Sequence, residues 1–503
     1  MSNTFQRVRS NRPGRSVFNL SYEKKLTCDM GELIPTMCDE VVPGDKFIIG
    51  NEVVVRFQPL VAPVLHEINC FIHYFFVPYR LLWEDWEDFI SGGVDGEDAS
   101  TLPYWDPTDT AEGSLWDYMG MPVGVDPGAD CRPVDFPKRA YNLVYNEFYR
   151  DEFQVTELDI TTAEAIQKRA WEKDYFTSAL PWQQRGVAPA LPISGTSEAV
   201  FPASVIVNAA GDVAVQTSST PGINAFRVNG SAARTNVDNA LNTNTVDLGS
   251  ATTFDVADLR LAFQIQKWME RNARAGARYT EFLTAHFGVS PRDDRLQRPE
   301  YIGGSKNPVI VSEVLQTSMT PDSSVEDGTP QGNLAGHGMT AARNFVAKYA
   351  ASEFGLIIGI MSIMPRPAYQ QGVDRQWIKT TKYDFYFPEF ANLSEQAIYR
   401  MELYANTTKA DNMTVFGYQG RYDEMRVKKN QVCGAMRDTL DYWHLGRQFG
   451  SAPALNQTFI ECVPDKRIFA VQDEDGLIVN VANVIKAIRP LPVQSNPGLI
   501  DHD

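Results

Sequence analysis

No Gly-Lys dipeptide occurs in the sequence, so there is no phosphate-cradling loop of the Walker type, and neither a GxSxG elbow nor an HExxH pair is present. Histidine is scarce, with only His66, His73, His286, His337, His444 and His502. His66 and Glu67 open like a zinc motif, but Cys70 stands where the second histidine should be. His66 and His73 are seven apart in a strand-like run, which points them to opposite faces and argues against shared metal ligation. The six cysteines (Cys28, Cys38, Cys70, Cys131, Cys433 and Cys462) form neither a CxxC pair nor a metal-ligand spacing, and they read as free thiols. Met1 to Ser16 is polar and basic, without the apolar core of a signal peptide. The longest apolar stretch, around Gly355 to Met364, falls short of the roughly 20 residues of a membrane span. Positive charge is also short. Against 63 acidic residues stand 46 basic ones, a net charge of -17, so the bulk of the chain is a poor nucleic-acid binder. Any DNA contact must be local or come from a basic partner. No catalytic residue, cofactor or metal site is assigned.

What the chain does have is turn residues and strands. Thirty-five Gly and thirty Pro punctuate 503 residues, which suits short strands joined by long loops. Glu52 to Phe57 is rich in β-branched residues and precedes the turn signal PLVAP. Ile68 to Val77 is apolar on both faces: Ile68, Cys70, Ile72, Tyr74 and Phe76 on one, Phe71, Phe75 and Val77 on the other. Such a strand must be covered on both sides. Gly355 to Met364, Tyr383 to Phe387 and Arg467 to Val471 also have strand character. Ser91 to Pro137 reads as a long irregular loop. Tyr141 to Phe153 repeats aromatics at helical spacing, which predicts a helix seated on a sheet. In WEDWEDF, Trp83, Trp86 and Phe89 mark an apolar edge. Glu84, Asp85, Glu87 and Asp88 then form the wet side of a short helix.

Four segments follow from these shifts. Residues 1–25 form a basic N-terminal arm carrying Arg7, Arg9, Arg12 and Arg15, too polar to fold alone and a candidate for genome contact. Residues 26–186 hold the first strands with inserted loops and helices. Residues 187–253 contain six charged residues and no Lys, Tyr, Trp, Cys, Met or His, and read as a self-contained insertion with small strands at Ala203 to Val207 and Val213 to Val215. Residues 254–503 begin with a helix over Asp255 to Gly288. On it Arg260, Lys267, Arg271, Arg274 and Arg278 share one stripe, opposite Leu261, Ile265, Trp268, Met269 and Leu283. That stripe is first a solvated or subunit-facing edge and only second a DNA-facing one.

Taken in order, several strings resemble the major capsid proteins of the microviruses, in particular the gokushovirus-like branch. They include RSVFNLS, DMGELIP, FFVPYRLLWEDWEDF, DYFTSALPWQQRG, RLQRPEYIGG, TPQGNLAGHG and TLDYWHLGRQF. The resemblance implies an all-β core, an eight-stranded antiparallel jelly roll with long insertions. It implies copies assembled in the host bacterial cytoplasm into a T=1 icosahedral virion shell around circular single-stranded DNA. It also implies a small basic DNA-binding protein, an internal scaffolding protein and a DNA pilot protein as partners. The variable insertion would form protrusions at the threefold axes and meet a host surface receptor. The competing class is a phage jelly-roll glycan-binding or glycan-degrading protein, which needs exposed aromatic platforms or a carboxylate pair in a groove. The insertion, with only Phe201 and Phe226 as aromatics, offers neither.

Overall fold

The computed structural model describes residues 14–91, 98–129, 131–186, 256–274, 297–315, 317 and 334–494, with strand pairs at 197–198, 205–207, 213–215 and 245–246. The chain divides into two compact units: Met1–Gln183 with Val289–Asp503, and Gln184–Gly288.

The first unit is built on two antiparallel sheets. One sheet holds β1 (Ser16–Asn19), β2 (Tyr22–Cys28), β4 (Lys46–Phe57), β7 (Ile310–Leu315), β8 (Leu334–Ala350) and β10 (Leu477–Arg489). Its order is β1-β10-β4-β8-β7, with β2 also paired to β10. The other holds β3 (Ile34–Val41), β5 (Ile68–Pro78), β6 (Glu300–Pro308) and β9 (Gly355–Pro365) in the order β6-β5-β9-β3. The chain crosses repeatedly between the sheets, and this is the jelly-roll sandwich. Where eight strands are expected, the two sheets hold ten among the described residues. The first strand breaks at Leu20 and Ser21 into β1 and β2, and β7 adds itself outside β8 as an antiparallel neighbour.

Alternation explains the core. In β4, Phe47, Ile49, Val53, Val55 and Phe57 point inward and are buried, while Lys46, Val54 and Arg56 are exposed. Ile72, Tyr74 and Phe76 of β5 meet them from the facing sheet, with Ile357 and Met361 of β9. The opposite face of β5 is buried as well. Phe75 and Val77 join Leu356, Ile358 and Ile360 in a second core under α1 (Phe136–Val144) and the loop before it. Each fully buried large side chain contributes about 1.5–3 kcal/mol. The double coverage expected for Ile68 to Val77 is therefore what the fold uses.

The helix expected over Tyr141 to Phe153 begins earlier, because Pro137 fits its first turn, and it ends in a wider turn at Tyr149, since Arg150 is extended. Its first aromatics are core residues, with Tyr141 and Tyr145 buried, Tyr149 partly buried and Phe148 exposed, and the Tyr141 hydroxyl donates to the Leu33 carbonyl at 2.9 Å. The loop of Ser91 to Pro137 is irregular, yet it delivers Trp105 and Trp116 to that core with ring centroids 5.1 Å apart.

Three expectations need correction. The arm does not run to residue 25, because Ser16 onward pairs with β10 and belongs to the sheet. Tyr383 to Phe387 is not a strand. The Asp384 carboxylate accepts from the Thr380 and Thr381 amides at 2.9 and 2.7 Å and winds the chain into a tight turn. Arg467 to Val471 is a turn as well, touching Leu60 through a single bridge at Phe469. The Arg467 guanidinium is tied to the Asp441, His444 and Gly446 carbonyls, which fixes this turn against the loop of 441–446.

The second unit contains α2 (Val256–Arg274) and two small antiparallel pairs, Ser197–Glu198 with Thr245–Val246 and Val205–Val207 with Val213–Val215. The latter pair lies where small strands are expected.

Candidate functional site

The candidate basic residues separate into two groups. Arg7, Arg9 and Arg12 lie outside the described residues, whereas Arg15 is exposed, just before β1. On α2, Lys267, Arg271 and Arg274 are exposed. Arg260 lies within the helix with its side chain outside the description, and Arg278 lies outside altogether. The apolar side of α2 is partly exposed. Leu261 is 59% and Trp268 49% exposed, with Ile265 and Met269 partly buried.

The acidic run behaves as read from its spacing. Glu84, Asp85, Glu87 and Asp88 are exposed, while Trp86 packs on Tyr79 and Phe136 with centroids 4.9 and 5.9 Å away. Among the described residues, no group of three or more His, Cys, Asp or Glu side chains is arranged to hold a metal ion. His73 stacks on Tyr149, with its Nδ1 2.9 Å from the Tyr149 hydroxyl. Burial, reinforced by the nearby Arg169 charge, pushes its pKa down to about 4. The ring is neutral at pH 7 and serves packing.

Sequence reasoning missed a different surface, the segment after β9. Trp377 is 74% exposed, and Tyr383, Phe385, Tyr386 and Phe387 are all exposed beside it. These aromatics are held firmly from below. Arg375, two residues before Trp377, pairs at 3.1 Å with Glu402, whose side chain is only 1% exposed. Glu402 also accepts from the Tyr175 hydroxyl at 3.0 Å and the Tyr399 amide at 2.9 Å. Burial pushes the Glu402 pKa above its ordinary value, and the Arg375 charge and these donors oppose the rise. Arg421 donates to the Tyr383 carbonyl at 2.9 Å and the Tyr422 hydroxyl to the Phe385 carbonyl at 3.0 Å. Tyr422 holds a left-handed conformation (φ 65) to do so. A fixed backbone bearing several exposed rings has the make-up of a contact surface, since aromatic anchors dominate protein interfaces. The available signal was the ring density of KYDFYF, which alternation disguised as a strand.

Comparison with known proteins gives a consistent result. A family model described as "Capsid protein (F protein)" matches residues 6–499. The chain is 34% identical to Capsid protein VP1 of Chlamydia phage 1, over 99% of this chain and 98% of the relative. It is 35% identical to Capsid protein VP1 of Bdellovibrio phage phiMH2K, over 94% and 92%. With Capsid protein VP1 of Spiroplasma virus 4 it shares 29% identity over 98% and 97%.

Proposed function

The chain belongs to the phage capsid protein (F protein) family, and from that premise we propose that its copies close into a T=1 icosahedral shell around circular single-stranded DNA. It is a capsid protein of the microviruses, a structural component of the virion and not an enzyme. The observation that carries the reading is full-length likeness to capsid proteins borne on a two-sheet sandwich. Closure under symmetry multiplies modest contacts and leaves no edge for runaway growth.

The aromatic segment from Trp377 to Phe387 supplies one of the contacts between neighbouring subunits. Residues 187–253 project outward near a threefold axis and meet a host receptor. The arm arginines Arg7, Arg9, Arg12 and Arg15 lie along the genome, and the stripe on α2 faces solvent or a neighbour. A small basic DNA-binding protein, a scaffolding protein and a pilot protein complete the particle.

Nuclease treatment of purified particles tests enclosure. Circular DNA that survives intact inside, and is then destroyed by a single-strand-specific nuclease after release, is the expected result. Particles without protected DNA would refute it. A double change, Trp377→Ala with Phe385→Ser, should leave the subunit folded and sharply reduce particle yield. The same exposed rings are what a glycan-binding protein would use, so soluble oligosaccharides should neither bind them nor inhibit assembly.

A further inference from the structure

The two faces of the sandwich are treated differently. The outer face of the β6-β5-β9-β3 sheet is buried under α1 and its loop, whereas the outer face of the β1-β10-β4-β8-β7 sheet is open among the described residues. Residues paired across antiparallel strands share a face. Register and alternating burial therefore define what the open face carries. Lys25, Lys46, Arg56, Arg343, Lys348 and Lys486 are exposed on it, against the carboxylates Glu23 and Glu52. Among the strand residues six cations stand against two anions, and while Glu112, Asp473, Glu474 and Asp475 border the end of the face that carries Lys25 and Arg56, the end around Phe345 keeps an excess of cations in a chain of net charge -17.

The arrangement is ordered in rows. Lys348, Ile48, Lys486 and Asn19 lie side by side across four strands. In the next row Phe345, Gly50 and Val484 are aligned, and beyond them Arg343, Glu52 and Ala482. Phe345 is 67% exposed, between the row of Lys348 and Lys486 on one side and the Arg343–Glu52 pair on the other. Gly50 puts no side chain beside it, and a Cβ there would come within 2.9 Å of the Asn344 carbonyl oxygen. The result is a depression of about 610 Å³, lined by Val17, Asn19, Gly50, Arg343, Phe345 and Lys486. Arg15 leaves the edge of the same sheet where β1 begins.

We propose that this open sheet face binds the packaged single-stranded DNA, with Phe345 stacking on a base and Lys348, Lys486 and Arg343 meeting phosphates on either side. The inference rests on the reading that the shell encloses such a strand. An aromatic ring flanked by cations is the chemistry by which unpaired bases are held without sequence preference. Arg343 shares its charge with Glu52 at 2.9 Å, but both are solvent-exposed and the pair yields readily to phosphate. A basic peptide would be repelled by Lys348, Lys486 and Arg343 around Phe345. A two-fold contact centred on the Lys348–Lys486 row would set these lysines of one copy against the same lysines of the other.

The test is fluorescence anisotropy of a labelled oligothymidylate with the full-length unassembled chain, across a range of salt. Changing Arg343, Lys348 and Lys486 together to Gln should flatten the salt dependence by about 2 logarithmic units per decade. Phe345→Ala should weaken binding roughly tenfold at fixed salt without altering that slope, and Phe345→Trp should restore it. Melting temperature should not move, because these side chains are exposed. Variants that bind like the original chain would overturn the proposal. Variants that bind normally but fail to assemble would assign the face to subunit contact and overturn it too. Neither result bears on enclosure itself, which is judged by nuclease protection of the original particles.

Discussion

Replacing Glu402 by Ala removes one carboxylate that three groups depend on. Arg375, with 11% of its side chain exposed, would keep a charge in a poorly solvated place with its 3.1 Å partner gone. The Tyr175 hydroxyl and the Tyr399 amide would each lose an acceptor. Breaking a buried ion pair from one side costs about 3–5 kcal/mol. The first unit comprises roughly 400 residues, so its unfolding entropy near the midpoint is roughly 0.8 kcal/mol/K and the expected drop in Tm is about 4–6 °C. Glu402→Gln keeps an acceptor for Tyr175 and Tyr399, and should cost about half as much. Since Arg375 anchors the turn that carries Trp377, the Ala variant should also form fewer particles at temperatures well below its own melting point. Differential scanning calorimetry and particle yield by sedimentation read the two effects. A Tm within 1 °C of the original, together with normal yield, would refute the argument that this pair fixes the aromatic surface.

Tyr141→Phe leaves the buried Leu33 carbonyl and Gln167 amide without the hydroxyl that serves both, and should cost about 2–4 kcal/mol in urea unfolding. Stability of the first unit should fall as pH drops from 6.5 toward about 4. Over that range the unfolded His73 takes up a proton and the folded ring does not, so His73→Gln should lessen this slope, and His66, also lowered by burial, should keep part of it. Native alkylation of the subunit should label Cys131 and Cys433, both exposed, well before buried Cys28, Cys70 and Cys462, and unfolding without reductant should release all six thiols. Burial also pushes the Cys70 pKa up to about 12, so that thiol should stay inert at neutral pH.

Much of the sandwich was legible because alternation is a local signal. Glu52 to Phe57 and Ile68 to Val77 announce both their strands and the number of faces to be covered, and WEDWEDF announces which side of its helix is wet. The misreadings share a cause. Tyr383 to Phe387 alternates like a strand, and only the Asp384 carboxylate, folding back on Thr380 and Thr381, prevents one. Ser16 to Lys25 looks too polar to fold alone, and it does not fold alone. It is completed by β10, more than 450 residues away in sequence. The open basic face was invisible for the same reason. Lys348, Ile48 and Lys486 become neighbours only through strand order, which no local pattern encodes.

The central claim, that this chain is a shell-forming subunit, is tested most directly by electron cryomicroscopy of particles formed by the purified protein. The account predicts closed, uniform T=1 particles whose reconstruction shows the open sheet face lining the interior and residues 187–253 on the outside. Discrete small oligomers, open sheets, or particles with the basic face turned outward would contradict it.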